Sequence, residues 1–186
     1  LAAAAATATL TGALLVGDSV RATLKYSFET RLGDVDRIVS ARERFFTEDL
    51  GRRMQQDGID TAPVLRINGM VARGDGSVRV NQLRILGVDG RFFDMSPAGE
   101  TPTGFAQGVA LVNTALARRL KINEEYPTEV VLRIDNPAAI SRNLVLAPNK
   151  SGTIARRLSI TGVADDSRFG RFSLEANQQE PLNLFV

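Results

Sequence analysis

From Leu1 to Gly33 the chain reads as one long helix whose apolar pattern changes partway along. Leu1 to Val16 (LAAAAATATLTGALLV) carries no charge and is dominated by alanine, the best helix former. After Gly17, charge enters at Asp18, Arg21, Lys25, Glu29 and Arg31, while Val20, Leu24, Phe28 and Leu32 continue an apolar stripe every fourth residue. Gly33 stands where a left-handed helix C-cap belongs. A rod that is apolar at one end and amphipathic at the other is the form of a helix leaving a membrane. Its length sets a limit. The uncharged stretch reaches only about 24 Å, against the roughly 30 Å of a hydrocarbon core. Two other readings stand beside it: a plain alanine-rich helix of a soluble domain, and the end of a secretory signal. The opening Leu leads us to expect a fragment or a processed product.

Beyond Gly33 the period alternates between two and 3.6. Asp34 to Ser40 predicts a short strand. Arg44 to Gln56, with Phe45, Phe46, Leu50 and Met54 at helical spacing, predicts a helix stopped by Gly58. Thr61 to Arg73 predicts a strand with a Gly-Met kink, Gly74-Asp75-Gly76 a tight turn, and Ser77 to Val88 the returning strand of a hairpin. Asp89 to Met95 predicts a helical turn with Phe92 and Phe93 inward, followed by a Pro/Gly-rich loop from Ser96 to Gly104. Gly108 to Val112 predicts a buried strand, and Asn113 the cap of a helix ending near Leu120. Thr128 to Ile134 and Thr153 to Val163 predict strands around an irregular excursion from Asp135 to Gly152. Asp165 to Gly170 predicts a turn, and Asn183 to Val186 a last strand. The fold class expected is α+β: a long N-terminal helix, then a mixed β-sheet domain of strand-helix-strand units and a hairpin, with its helices on one side. Residues 1–33 form the membrane-proximal helix in this division, and residues 34–186 the core domain.

Composition narrows the function classes. The 186 residues have room for a full core. The net charge is +2 and the arginines are scattered, without the basic face or aromatic interleaving of a nucleic-acid binder. Cysteine and histidine are both absent, so the chain alone can build neither a thiolate site nor a Ser-His-Asp triad. Val16-Gly17-Asp18-Ser19 resembles the nucleophile block of GDSL-type hydrolases, but the base that chemistry requires is missing and the run before it suits a helix. Gly74-Asp75-Gly76 lacks the acidic ladder of a calcium loop. Glu124-Glu125 and Asp165-Asp166 read as solvated turn charges rather than acid/base pairs. We therefore expect no catalytic, cofactor or metal residues. The residues singled out are Leu10, Leu14, Leu15 and Val16 on the membrane-proximal helix. Phe45 and Phe46 are read as core by default, with a partner-binding patch as the alternative.

Several short runs, in order, carry a family resemblance. They are Ala8 to Arg21, Arg44-Phe45-Phe46, Ala62-Pro63-Val64-Leu65, Gly87-Val88-Asp89 to Phe92-Phe93, and Val109-Ala110-Leu111-Val112-Asn113. Gly170-Arg171-Phe172-Ser173-Leu174, Asn177-Gln178 and Pro181-Leu182-Asn183 to Phe185-Val186 complete the series. Together they resemble FtsX-like ABC transporter permeases, and more narrowly large bacterial permeases with the macrolide-exporter (MacB-like) type of periplasmic core domain. The resemblance implies an extracytoplasmic domain on the bacterial inner membrane that couples cytoplasmic ATP hydrolysis to export or extraction through its membrane helices. The partners it implies are an ATP-binding ABC subunit or domain, the membrane, a second copy of the permease, and a periplasmic protein or a lipid or lipoprotein substrate. The core domain is then expected to be incomplete beyond Val186. No phosphate-binding loop occurs, as a permease part requires. The rival reading is a freestanding secreted or membrane-anchored binding module without catalysis.

Overall fold

The computed structural model describes residues 2–40, 45–106, 108–122, 127–135, 153–175 and 179–186. Helix α1 (Ala2–Leu32) runs unbroken for 31 residues, about 46 Å. Helix α2 (Glu48–Gln56) follows, then β1 (Leu65–Arg73), β2 (Arg79–Gly87), the short helix α3 (Gly90–Asp94), β3 (Val109–Asn113), α4 (Thr114–Leu120), β4 (Thr128–Asp135), β5 (Thr153–Ala164) and β6 (Asn183–Phe185). A 3₁₀ turn at Asp166–Arg168 links β5 towards β6. The α+β class with a mixed sheet is as the sequence predicts. The sheet, however, closes into a barrel in the order β1-β2-β6-β3-β5-β4. Two of its six pairings are parallel, β2 with β6 and β3 with β5; the others are antiparallel.

Closure gives two cores, one inside the barrel and one on its outer wall. Val71, Leu83, Ile85, Ala110, Val112, Val130, Leu132, Ile160 and Leu184 fill the interior. Their chain neighbours Leu86, Leu111 and Phe185 face outward into a second cluster with Phe92, Phe93, Phe169 and Phe172. Successive strand residues point to opposite faces, so β3 is buried on both sides and reads as an unbroken apolar run. The expectation that the helices lie on one side of the sheet therefore does not hold. Helix α4 adds Leu116, Ala117 and Leu120 to the interior core, while α3 lies in the outer cluster.

One predicted strand is absent, and one strand and one helix start later than expected. Residues 35–40 are irregular rather than a strand: Val35 turns into the outer cluster, and Ile38 and Val39 are exposed, with no strand beside them among the described residues. β1 begins at Leu65 rather than Thr61, after Pro63, which cannot donate to a ladder. Helix α2 begins at Glu48, with Glu48 and Asp49 complementing its N-terminus, so Phe45 and Phe46 precede it. The Gly-Met kink is a β-bulge: Gly69 pairs with Leu83 and Val71 with Val80, two steps against three, and Gln82 takes up the extra residue at φ 58°. The Gly74 turn is clamped by Asp75, whose Oδ1 accepts from the Ser77 N–H at 2.9 Å and its hydroxyl at 2.7 Å. These bonds hold the Asp75 carboxyl below its usual range. The excursion expected over 135–152 and the Glu124-Glu125 pair lie outside the described residues, apart from Asp135 at the end of β4.

Asn113 ties this arrangement together. Its Oδ1 accepts from the Leu116 N–H at 3.0 Å, capping α4, and from the Asn183 N–H at 3.2 Å. Its amide donates to the carbonyls of Gly170 (2.9 Å) and Pro181 (2.7 Å). Asn183 repeats the pattern with the Phe172 carbonyl at 2.9 Å. One side chain thus joins β3, α4, β6 and the segment after β5. Asn113→Ala is expected to lose about 2–4 kcal/mol in urea denaturation, from a lost cap and orphaned buried carbonyls. Asn113→Asp keeps the cap acceptor but turns a buried carboxyl oxygen towards those two carbonyls, so at neutral pH it should lose at least as much.

Candidate functional site

The residues that bear on function meet where α1 enters the core. Leu32 and Val35 pack against the outer aromatic cluster. Phe92 is its hub, with ring centroids 4.8 Å from Phe169, 4.9 Å from Phe172 and 5.3 Å from Phe93, the last two edge to face. Gly33 ends the helix at φ 50°, and its N–H donates to the Glu29 carbonyl at 2.8 Å. A Cβ on Gly33 would lie 2.3 Å from the Met95 carbonyl oxygen and 2.9 Å from Phe169 Cε1, so only glycine fits this contact. The next N–H, of Asp34, donates to that same Met95 carbonyl at 3.0 Å. Phe169 is itself held at φ 61°, a costly backbone state for an aromatic residue, which the packed cluster sustains.

Polar contacts fix the last turn of α1. The Arg31 guanidinium donates to the carbonyl oxygens of Ser173 and Glu175. Arg84 of β2 donates to Ser173 Oγ at 2.7 Å and pairs with the Glu175 carboxylate, which Arg66 of β1 also approaches at 3.5 Å. The segment 173–175 therefore bridges the end of α1 to two barrel strands. Nearby, Asp165 caps the 3₁₀ turn, accepting from the N–H groups of Ser167 (3.0 Å) and Arg168 (3.1 Å). Desolvation raises its carboxyl, but the Ser167 hydrogen bond, the Arg168 charge and the backbone N–H groups outweigh that and leave it lowered. Asp166 pairs with Arg171 at 3.1 Å. Asp165-Asp166 is thus a cap and an ion-pair member, not a catalytic pair.

The residues singled out from sequence lie elsewhere. Leu10, Leu14, Leu15 and Val16 all lie on α1, 65–70% exposed, and their helical angles spread them around the rod rather than along one stripe. Val20, Leu24 and Phe28 are exposed too; of the predicted stripe only Leu32 reaches the core. Among the described residues no helix is long and apolar enough to cross a membrane. Phe45 and Phe46 are 65% and 51% exposed in the irregular stretch before α2, which overturns their default assignment to the core. Ser19 is an exposed residue in mid-helix, its carbonyl accepting from Thr23 Oγ1 at 2.9 Å, which does not match a strand-to-helix nucleophile turn. Among the described residues, no cluster of acidic side chains is arranged to hold a metal. Sequence reading missed Arg31, Ser173, Glu175 and Phe169. The positive-φ glycine after the helix and the Gly-Arg-Phe-Ser run were the available signals.

The family model for MacB-like periplasmic core domains matches residues 1–179, so it takes in α1, the junction and nearly all of the barrel. The chain belongs to this family. A comparison with curated proteins finds no match. As a MacB-like periplasmic core domain, the chain is an extracytoplasmic domain of an ABC transporter permease, a class of domain that is generally not catalytic.

The junction generates two expectations. Gly33→Ala should destabilise the domain by about 2–3 kcal/mol in urea denaturation, since the left-handed backbone and the Met95 contact are both strained. An unchanged midpoint would mean that the contact gives way freely. For Asp165, the folded carboxyl titrates below the unfolded one. Its stabilisation is therefore complete above the ordinary aspartate range and is lost as pH falls through the lower folded value. Asp165→Asn should accordingly show a smaller loss of melting temperature than wild type on acidification below about pH 4.

Proposed function

We propose that α1 is the lever through which the membrane part of the permease moves this domain, so that ATP hydrolysis on the cytoplasmic side drives export or extraction outside. One observation carries this reading: α1 enters the core with no flexible linker, its last residues held by packing, by the Gly33 contact and by Arg31. A helix seated this way transmits rotation and displacement of its far end to the barrel. The uncovered apolar side chains of Leu10, Leu14, Leu15 and Val16 fit a membrane-proximal stretch at that far end. In this reading residues 1–33 are the transmitting element and residues 34–186 the moved module. The partners are an ATP-binding subunit or domain, the bilayer of the inner membrane, and a second copy of the permease. Phe45 and Phe46 offer exposed aromatic surface to a protein or lipid outside the membrane.

The test uses the full-length permease with its ATPase in proteoliposomes. A flexible Gly-Ser insertion between Leu15 and Arg21 should leave ATP turnover within about twofold and reduce transport at least tenfold, because a soft segment absorbs the displacement. Transport that persists at the parental rate would rule the lever out.

A further inference from the structure

The end of α1 is gripped at two places that lead to different parts of the domain. The backbone of Asp34 bonds to the Met95 carbonyl after α3, and Gly33 closes on that carbonyl and on Phe169. Arg31 instead reaches the carbonyl oxygens of Ser173 and Glu175. The two grips differ in leverage. Backbone atoms lie about 2.3 Å from a helix axis, whereas side-chain tips lie about 5–6 Å from it. A hold on Gly33 therefore fixes where the helix ends, and a hold on the Arg31 guanidinium resists turning of the helix about its axis.

From Ser173 and Glu175 the contacts run on to the β1–β2 hairpin. Ser173 Oγ accepts from Arg84 of β2 at 2.7 Å and from the Glu175 N–H at 3.2 Å. The Glu175 carboxylate pairs with Arg84 through one oxygen and with Arg66 of β1, at 3.5 Å, through the other. Register sets Arg84 opposite Asn68 and Arg66 opposite Leu86, which makes the two arginines diagonal neighbours. Leu86 faces the outer cluster, so both arginines stand on the outer face. Glu175 therefore offsets their mutual repulsion and straps β1 to β2. Ser173 is buried and the Arg84 side chain is only 15% exposed, so water competes little for the bonds between them.

We propose that Arg31, Ser173, Glu175 and Arg84 are positioning residues that pass axial turning of α1 to the β1–β2 hairpin. Each link between them is a directional hydrogen bond or ion pair, and such bonds weaken steeply when their angle changes. The hairpin answers as a unit, because β1 and β2 pair along most of their length and join through the clamped Gly74 turn. It borders β4 on one side and β6 on the other, so its displacement reaches the rest of the wall. The half-exposed Arg66 pair adds little strength and serves to keep Glu175 between the two strands. The use of this turning in transport rests on the lever reading; the mechanical link from α1 to the hairpin stands without it.

The experiment uses the full-length permease with its ATPase, in a cysteine-free background, with spin labels at Ser19→Cys and Asn81→Cys or at Ser19→Cys and Asp94→Cys. Ser19 and Asn81 are exposed on α1 and β2, and Asp94 ends α3 next to Met95, so the second pair monitors the Gly33 grip. In Arg31→Ala and in Glu175→Ala the Ser19–Asn81 distance distribution should broaden about twofold at rest, while the Ser19–Asp94 distribution keeps its width. In proteoliposomes each variant should lose about fivefold in transport with ATP turnover within about twofold of the parent. The double variant should lose no more than the worse single one, because both substitutions break one path. The proposal is overturned by an unbroadened Ser19–Asn81 distribution or by additive losses in the double variant. Equal broadening of both pairs overturns it too, since the helix would then have come loose as a whole. Broadening of the Ser19–Asn81 pair alone, with transport at the parental rate, would uphold the link and overturn the lever reading instead.

Discussion

The seating of Gly33 against the Met95 carbonyl and the Phe169 ring is the constraint on which the rest of the architecture depends. Without a Cβ at this point the chain can leave a long helix and within one residue bond to the core. With any other residue the helix would have to lift away, and Leu32 and Val35 would lose their place against the aromatic cluster. The cluster in turn exists because β2, β3 and β6 carry apolar residues on both faces. Inward residues close the barrel, and outward residues make the floor on which α1 ends.

Relative magnitudes show which interactions hold the junction and which orient it. Burying a leucine or valine side chain contributes about 1.5–3 kcal/mol, and edge-to-face aromatic pairs add about 0.5–1.5 kcal/mol each. The Arg66–Glu175 pair is nearly half exposed on both sides, and such pairs contribute about 0–1 kcal/mol. The apolar seat therefore supplies the strength. The Arg31 and Arg84 contacts to residues 173–175 fix the azimuth of the helix, because directional hydrogen bonds resist rotation that a greasy contact tolerates.

Much of this was legible in the sequence, and the failures share a cause. Periodicity gave α1, the β1–β2 hairpin, β3, the Asn113 cap and β5 because each is decided by local pattern. Phe92 and Phe93 read correctly as inward. Barrel closure did not read, since it depends on β4 finding β1 and on the three residues of β6 inserting between β2 and β3, both long-range pairings. Asp34 to Val39 alternates like a strand but has no partner strand among the described residues, and an alternating pattern without a partner does not form a sheet. Phe45 and Phe46 have helical spacing with Leu50 and Met54, yet the acidic pair Glu48-Asp49 sets the helix start after them. At the junction, the glycine cap was visible, but its partners Met95 and Phe169 lie 62 and 136 residues away along the chain and leave no local trace.

Closure of the barrel also decides where its strands lack a neighbouring strand. In a closed sheet every strand has two neighbours, so the wall presents ladder groups to solvent only where a strand outruns the next one. Among the described residues β5 does so before Ser159, where the five-residue β3 begins, and β2 before Arg84, where the three-residue β6 begins. Arginine on such an edge discourages pairing with another copy of itself, since like charges would meet across the new ladder.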